Sequence, residues 1–176
     1  MLRKIAIAVV VVVAGVLGYA ATRPDTFRVE RSATVKAPPE KIYPLISDFH
    51  AWTGWSPWER MDPAMKRTYG GAPSGVGAEY AWDGDKNVGK GRMRIVEAAP
   101  PSRVVVQLDF EKPFEGRSVA QFTLSAAGNG TAVTWAMRGE NRFMGKLISV
   151  FMSMDRMIGD QFETGLANLQ ALAEKA

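Results

Sequence analysis

The region from Met65 to Glu140 alternates apolar and polar residues between short turns, and this pattern is the strongest constraint on the fold. Turns centred on Lys86-Asn87, Pro100-Pro101 and Gly128-Asn129 set the register of neighbouring antiparallel strands. In that register one face of the sheet carries charged residues of opposite sign, and the other carries aromatic, methionine and small residues. A sheet with one apolar face must be covered on that face, so the sequence predicts an antiparallel sheet packed on a helix.

The predicted pairing can be stated residue by residue. On the apolar face the predicted pairs are Tyr80–Met93, Trp82–Gly91, Gly91–Phe110, Met93–Leu108, Leu108–Ala120, Val106–Phe122, Phe122–Trp135 and Ala120–Met137. On the charged face they are Glu79–Arg94, Asp83–Lys90, Lys90–Glu111 and Glu111–Arg117. Because a slip of one residue would exchange the two faces, this separation of apolar and charged residues supports the register.

Apolar residues recur at helical spacing near the C-terminus, which predicts a single long helix from Phe143 to Ala173 as the cover of the sheet. Upstream, a strand over Thr26–Ala37 is followed by a short helix that Pro38-Pro39 open and Pro44 interrupts. A second short helix holds the tryptophan-rich segment and is expected to end at Pro57.

The N-terminal run from Ile5 to Ala21 is apolar throughout. As a helix it would span roughly 26 Å, close to the ~30 Å hydrocarbon core of a bilayer. We therefore expect residues 1–23 to be a single-pass membrane anchor, with a cleaved signal peptide as the alternative. Arg3 and Lys4 favour a cytoplasmic N-terminus, which would place a domain of residues 24–176 outside the cytoplasm, in the periplasm of a bacterium.

Charge and composition exclude several classes of function. Removing residues 1–22 removes only Arg3 and Lys4, which leaves 20 basic residues against 18 acidic ones and no basic patch for nucleic acid. The chain has no cysteine, so thiolate catalysis is excluded. His50 is the single histidine, so a multi-histidine metal site is excluded, and beside Asp48 at a helix end it is interpreted as a surface or capping residue. We expect no metal and no cofactor.

Several stretches together resemble the START-like or SRPBCC superfamily, in its polyketide cyclase/dehydrase and lipid transport branch. They are VERSATVKAPPEKIYPLISDFHAWTGWSPW, GVGAEYAWDG, FEKPFEG and MDRMIGDQFETGLANLQAL, and in this order they cover nearly everything after residue 25. The resemblance implies an α+β helix-grip fold, as in START and Bet v 1-like proteins. In that fold a curved antiparallel sheet wraps a long C-terminal helix, with a hydrophobic-ligand cavity between them. A membrane anchor is not general in the superfamily.

The apolar face predicts the residues that would line such a cavity. Gly91, Ser118 and Ala120 lie between large side chains and would leave room for a ligand, although for each large residue taken alone solid core is the favoured interpretation. Tyr80 and Ser118 are the polar groups predicted on this face, enough to orient a ligand but little for acid–base catalysis. The candidate ligand-binding residues are Trp55, Tyr80, Trp82, Met93, Phe110, Phe122, Trp135, Met137, Phe151, Met154 and Ile158.

Three functions are compatible with the sequence. The first is a membrane-tethered module that binds a hydrophobic small molecule, such as a lipid or an isoprenoid, with no catalytic residue and no nucleic-acid partner. The second is a cyclase- or dehydratase-like enzyme acting on a similar ligand. The third is a protein-interaction domain whose core is filled by its own side chains. The sequence does not indicate an oligomeric state.

Overall fold

A computed structural model describes residues 1–175 of the chain, which form a seven-stranded antiparallel sheet and five α-helices. The helices are α1 (Leu2–Ala21), α2 (Pro39–Ser47), α3 (Pro57–Met61), α4 (Phe143–Phe151) and α5 (Met154–Glu174), and a 3₁₀ helix covers Phe49–Gly54. The strands are β1 (Thr26–Val35), β2 (Lys66–Gly71), β3 (Ala78–Asp83), β4 (Lys90–Ala99), β5 (Arg103–Lys112), β6 (Gly116–Ala127) and β7 (Gly130–Glu140).

The sheet has the order β1-β7-β6-β5-β4-β3-β2, so each strand after β1 pairs with its neighbour in the chain and β1 closes onto β7. Helix α5 packs along β1 and also contacts α2 and α3. The predicted helix-grip arrangement is therefore confirmed. Its core lies between the apolar face of the sheet, here called the inner face, and α5 with the short helices.

The predicted register is confirmed between β3 and β4 and between β6 and β7, where Tyr80 pairs with Met93 and Phe122 with Trp135. Between β4 and β5 the pairs at Gly91 and Met93 are also confirmed. A register shift between Lys90 and Gly91 sets Lys90 opposite Lys112 rather than Glu111, although the Lys90 amine still lies 3.6 Å from the Glu111 carboxylate.

The predicted register between β5 and β6 is wrong by two residues. Ser118 lies opposite Leu108, Ala120 opposite Val106 and Phe122 opposite Val104, because the turn that joins β5 to β6 is centred on Pro113, one residue earlier than the sequence suggested. Since side chains alternate with a period of two, a slip of two residues keeps each side chain on its predicted face. On the charged face the slip pairs Arg117 with Asp109 instead of Glu111.

The single long C-terminal helix is also wrong, because the chain is extended at Met152 and Ser153 between α4 and α5. The Ser153 hydroxyl accepts a hydrogen bond from the Arg156 amide at 3.3 Å, and Asp155 lies in the first turn of α5. Serine at an N-cap followed by an acid is a helix-start signal, and here it starts a new helix inside a continuous apolar pattern. Helix α4 packs against α1 rather than against the sheet.

The tryptophan-rich segment differs from the prediction at Pro57. The 3₁₀ helix ends at Gly54, and Pro57 occupies the first turn of α3 rather than ending a helix. Proline fits this place because the first amides of a helix need no intrahelical acceptor. Pro44 lies inside the nine-residue α2, which ends at Ser47.

Helix α1 is long and apolar enough to cross a membrane, although a signal sequence would satisfy the same test. Most of its surface is exposed, and Ala20 is its buried residue. The Arg23 guanidinium donates to the Ser149 carbonyl at 2.7 Å, and the Lys146 amine pairs with the Asp25 carboxylate. These contacts fix α4 beside the end of α1.

Candidate functional site

The half of the inner face farther from α1 is filled by an aromatic cluster. Trp135 stacks on Phe162 of α5 with ring centroids 4.0 Å apart, and Phe122 lies 4.8 Å from Trp135. Trp52 and Trp55 meet the same rings edge-on, and their indole N–H groups donate to the carbonyls of Ile46 and Leu45. The cluster comprises Trp52, Trp55, Trp58, Phe122, Trp135 and Phe162. These rings interlock α5, the sheet and the tryptophan segment.

A row of smaller residues crosses the half of the inner face nearer to α1. Consecutive strands place Phe27 beside Gly139, Gly139 beside Ser118 and Ser118 beside Leu108. Ser118 is buried, whereas Phe27 and Leu108 are half-buried. The floor of this half is therefore built from a glycine and a serine between two larger apolar side chains.

Several large apolar side chains of this half remain partly open to solvent. Phe110 follows Leu108 on the same face of β5 and meets Trp82 edge-on at 5.8 Å. The packing contacts of α5 are with β1 and the short helices, and not to a comparable extent with β3, β4 or β5. We call this apolar surface the mouth; its residues are Phe27, Trp82, Leu108, Phe110 and Ile158.

The predicted ligand-binding residues divide between these two halves. Trp55, Phe122 and Trp135 belong to the aromatic cluster, and Trp82, Phe110 and Ile158 belong to the mouth. Three further predicted residues are buried core, namely Tyr80, Met93 and Met137, and Met154 is half-buried at the start of α5. Phe151 departs from the prediction, since it lies on α4 with 72% of its surface exposed.

The space expected at Gly91 is occupied. A Cβ atom at this position would lie within 2.7 Å of the Trp82 ring and of the Asp109 carbonyl. Gly91 therefore serves to let the Trp82 indole lie flat on β4. Ala120 and Ser118 are buried between their neighbours, so any ligand in this half must displace side chains of the mouth.

A buried polar network that the sequence analysis missed lies beside the mouth. The Tyr80 hydroxyl donates to Glu59 Oε1 at 2.6 Å, and Arg67 Nε donates to Glu59 Oε2 at 2.6 Å. Glu59 is 8% exposed although it is an acidic residue followed directly by Arg60 in the sequence. A signal was available: Arg67 falls on the inner-face side of β2, opposite Trp82, where an unpaired cation would be costly.

The electrostatics of this network keep Tyr80 protonated. Burial raises the pKa of Tyr80 far above its ordinary value, and the hydrogen bond to Glu59 raises it further. The same Glu59 hydrogen bond raises the pKa of Arg67. At neutral pH the phenol is thus a hydrogen-bond donor already engaged by a carboxylate, so it is poorly suited to transfer a proton to a ligand.

One buried donor on the inner face lacks an acceptor. Trp135 Nε1 is fully enclosed, yet no hydrogen-bond partner lies within reach among residues 1–175. Most buried indole N–H groups find a partner, as those of Trp52 and Trp55 do here. An oxygen atom of a bound molecule could satisfy Trp135 if the surrounding rings moved apart.

His50 is a surface residue, one of the two interpretations that the sequence suggested, and its neighbour Asp48 is the cap. The Asp48 carboxylate accepts from the His50 amide at 2.8 Å and lies 2.9 Å from its Nδ1. The imidazole stacks on Tyr69 with centroids 4.0 Å apart. Asp48 thus caps the 3₁₀ helix and orients an exposed imidazole on the surface of the protein.

The outer face of the sheet carries the predicted charge ladder. Asp109 lies 3.6 Å from Arg92 and 3.3 Å from Arg117, and Glu79 lies 3.6 Å from Arg94. All of these residues except Arg117 line an open groove of about 520 Å³ over β2–β5. The groove lies across the sheet from α5, so it is distinct from the cavity that the family resemblance implies.

Comparisons with known proteins agree with this architecture. The sequence profile described as "Polyketide cyclase / dehydrase and lipid transport" matches residues 26–174. A comparison with curated protein sequences gave no match.

Solved structures share the fold at low sequence identity. Protein CV1439 from Chromobacterium violaceum superimposes with a TM-score of 0.60 at 20% identity, over 86% of this chain and 99% of that one. Protein MLL2253 from Mesorhizobium loti gives 0.56 at 21% identity, over 86% and 98%. Major latex-like protein 151 from Panax ginseng gives 0.59 at 15% identity, over 85% and 99%. At these identities the likeness establishes the fold alone.

Proposed function

The chain belongs to the polyketide cyclase / dehydrase and lipid transport family, and from this premise we propose that it binds a hydrophobic small molecule while tethered to a membrane by α1. The ligand class is an apolar chain or ring system with at most one polar end, such as a lipid or an isoprenoid. The binding residues are those of the mouth, continued inward by Met93, Met137 and Met154. Residues 24–176 are the binding domain and residues 1–23 are the tether.

The observation that carries the proposal is the mouth itself. Large apolar side chains on an inner face are normally covered, yet Trp82, Leu108 and Phe110 remain half-buried beside a floor of Gly139 and Ser118. Exposed apolar surface that is continuous with the core is a feature of ligand sites. Methionines at its inner edge supply adaptable contacts for ligands of variable shape.

The energetics favour binding without special chemistry. Each buried methylene contributes about 0.8 kcal/mol, so a ten-carbon chain contributes at most ~8 kcal/mol before the costs of association. The hydroxyl of Ser118, on the floor of the near half, is the polar side-chain group that a polar end of the ligand would meet there. Micromolar affinity needs nothing further.

The tether places the mouth close to a source of apolar ligands. Helix α1 ends at Ala21 and β1 begins at Thr26, so at most a few residues separate the end of α1 from the sheet. The mouth residues Phe27 and Phe110 lie at the same end of the sheet as Thr26.

With Arg3 and Lys4 on the cytoplasmic side, the domain lies outside the cytoplasm. A cysteine at Val76, in a chain without other cysteines, should react with an impermeant maleimide in intact cells.

The test uses two adjacent residues on opposite faces of β5. Leu108→Gln places an amide in the mouth, whereas Gln107→Ala changes the outer groove and leaves the mouth intact. Full-length protein is purified in mild detergent, and the molecules that accompany it are extracted and identified by mass spectrometry. We expect one defined apolar species at about one per chain in the wild type and in Gln107→Ala, and its loss in Leu108→Gln. If the wild type, Gln107→Ala and Leu108→Gln gave the same extract, with no apolar species at about one per chain, the proposal would be refuted.

A second candidate function is a protein-interaction domain. The closed aromatic cluster favours it, because that half of the inner face holds its own side chains in place of a ligand. The outer groove over β2–β5, with its alternating charges, would then be the contact surface. In that case Arg94→Ala should weaken capture of a partner by the full chain, and Leu108→Gln should leave capture unchanged.

A further inference from the structure

Helix α4 carries an exposed apolar surface that the domain does not use. Phe143, Met144 and Phe151 of α4, with Met152 directly after it, are each at least 42% exposed, and no α4 residue is buried. The helix contains no acidic residue, and its Lys146 is turned to Asp25. Such a surface would be unfavourable in water, so its position on the molecule must explain it.

That position is beside the end of α1. Helix α4 packs against α1, whose Ala20 is buried and whose Val16 is half-buried, one helical turn apart on the same face. The contact is fastened by the Arg23 bond to the Ser149 carbonyl at 2.7 Å. Val16 belongs to the apolar run that would lie in the bilayer, so α4 reaches the depth of that run.

We propose that α4 is a second membrane-contacting element, which lies in the boundary between lipid headgroups and acyl chains and delivers the apolar ligand to the mouth. The inference rests on the proposed tether, because α4 reaches the bilayer only if α1 spans it. Its partner is the lipid bilayer, as the continuity of its apolar surface with that of α1 requires. Amphipathic helices of this kind bury their apolar face about 5–10 Å into that boundary.

The break between α4 and α5 links the membrane surface to the mouth. Phe151 ends α4 and Met152 follows it, both exposed, whereas Met154 and Ile158 in the first turns of α5 are half-buried. Apolar side chains therefore continue from the lipid boundary to the inner face along one connected segment. Phe114, 51% exposed in the turn between β5 and β6, extends the apolar rim at the same end of the sheet.

The test exploits the absence of cysteine from the chain. Single cysteines at Phe151, Leu17 and Val76 are labelled with an environment-sensitive fluorophore in the full-length protein, which is reconstituted in phosphatidylcholine vesicles. Brominated lipids then report the depth of each label. Leu17 reports insertion of α1, and Val76, 58% exposed at the opposite end of the sheet, is the control. All three side chains are exposed, so their replacement leaves the core intact.

We expect quenching at Leu17 by bromines deep in the bilayer, quenching at Phe151 by bromines near the headgroups, and none at Val76. Quenching at Leu17 with a water-exposed label at Phe151 would overturn the role of α4 and leave the tether standing. Iodide in the buffer serves as a water-soluble quencher. A Phe151 label that neither the brominated lipids nor iodide quench would also overturn the role of α4, because a second protein chain would then cover the helix. No quenching at Leu17 would refute the tether, and the role of α4 with it.

Discussion

The two halves of the inner face are built from the same kinds of residue, yet they have opposite packing. In the far half, Trp55, Phe122 and Trp135 are at most 2% exposed and interlock with Phe162 of α5. In the near half, Trp82 and Phe110 are only half-buried although they lie on the same face of the same sheet.

The cause of the difference is the path of the C-terminal segment. Helix α5 holds the far half through Phe162 and Leu169, which are buried. Near its start the helix is attached to the sheet by polar contacts, because Arg31 of β1 lies 3.0 Å from Asp155 and 2.6 Å from Glu163. Upstream of Met152 the chain leaves the sheet for α1. The far half is thus covered by α5, whereas the near half is left partly uncovered.

The largest expected effect is the loss of a ring from the far half. Trp55→Ala removes a fully buried indole and its bond to the Leu45 carbonyl, and it should lower the free energy of unfolding by about 3–5 kcal/mol. Phe110→Ala in the mouth should cost less than half as much, because that ring is only half-buried. Urea unfolding of the full chain in detergent, followed by circular dichroism, measures both. Equal losses would contradict the distinction between the halves.

Two glycines of α5 provide a matched comparison. A Cβ at Gly165 would meet the Trp135 ring at 2.9 Å and Pro57 at 3.2 Å, so Gly165→Ala should destabilise by about 1–3 kcal/mol despite its better helix propensity. A Cβ at Gly159 would meet the Arg31 guanidinium, which can turn into solvent, so Gly159→Ala should cost less. Thermal unfolding of both variants decides the order. A larger loss for Gly159→Ala would show that the near end of α5 is the rigid one.

The pH dependence of stability tests the polar network of Tyr80, Glu59 and Arg67 beside the mouth. Because the pKa of Tyr80 is raised in the folded protein, its contribution is complete below the unfolded pKa of about 10 and is lost as pH rises above it. One such tyrosine lowers stability by up to about 1.4 kcal/mol per pH unit above pH 10. Between pH 8 and 11 the free energy of unfolding should therefore fall more steeply with pH for the wild type than for Tyr80→Phe. Parallel curves would mean that Tyr80 is not buried as described.

The smallest effect is expected on the outer face. Asp109→Asn removes the carboxylate shared by Arg92 and Arg117, and such strand pairs contribute about 0.2–1 kcal/mol each. The loss should shrink further in high salt, because these charges are near solvent. Ligand retention should be unchanged, whereas the second candidate function would require partner capture to weaken.

The sequence predicted the sheet well because turns and alternation are local signals. The pairs Tyr80–Met93 and Phe122–Trp135 followed from turn positions alone, and the error between β5 and β6 arose where a longer turn allowed two solutions. The break at Ser153 was hidden because the apolar pattern runs through it, although the cap itself was visible.

The candidate site was harder to predict, because side-chain direction along a strand does not reveal what covers it. Face assignment could not distinguish the closed position of Phe122 from the half-open one of Phe110. Glu59 was missed because its burial depends on Arg67 and Tyr80, which lie 8 and 21 residues further along the chain on two neighbouring strands. That the ligand binds at the mouth therefore stays a prediction.

The most direct test of that prediction is covalent mapping of where an apolar chain binds. Full-length protein in vesicles is irradiated with a fatty acid that carries a photoactivatable diazirine, and the modified peptides are identified by mass spectrometry. Adducts on α1 serve as the internal control for lipid exposure. The account predicts adducts at Trp82 and Phe110 that Leu108→Gln diminishes. Adducts on α1 alone, or on the outer groove at Arg92 and Arg94, would contradict it.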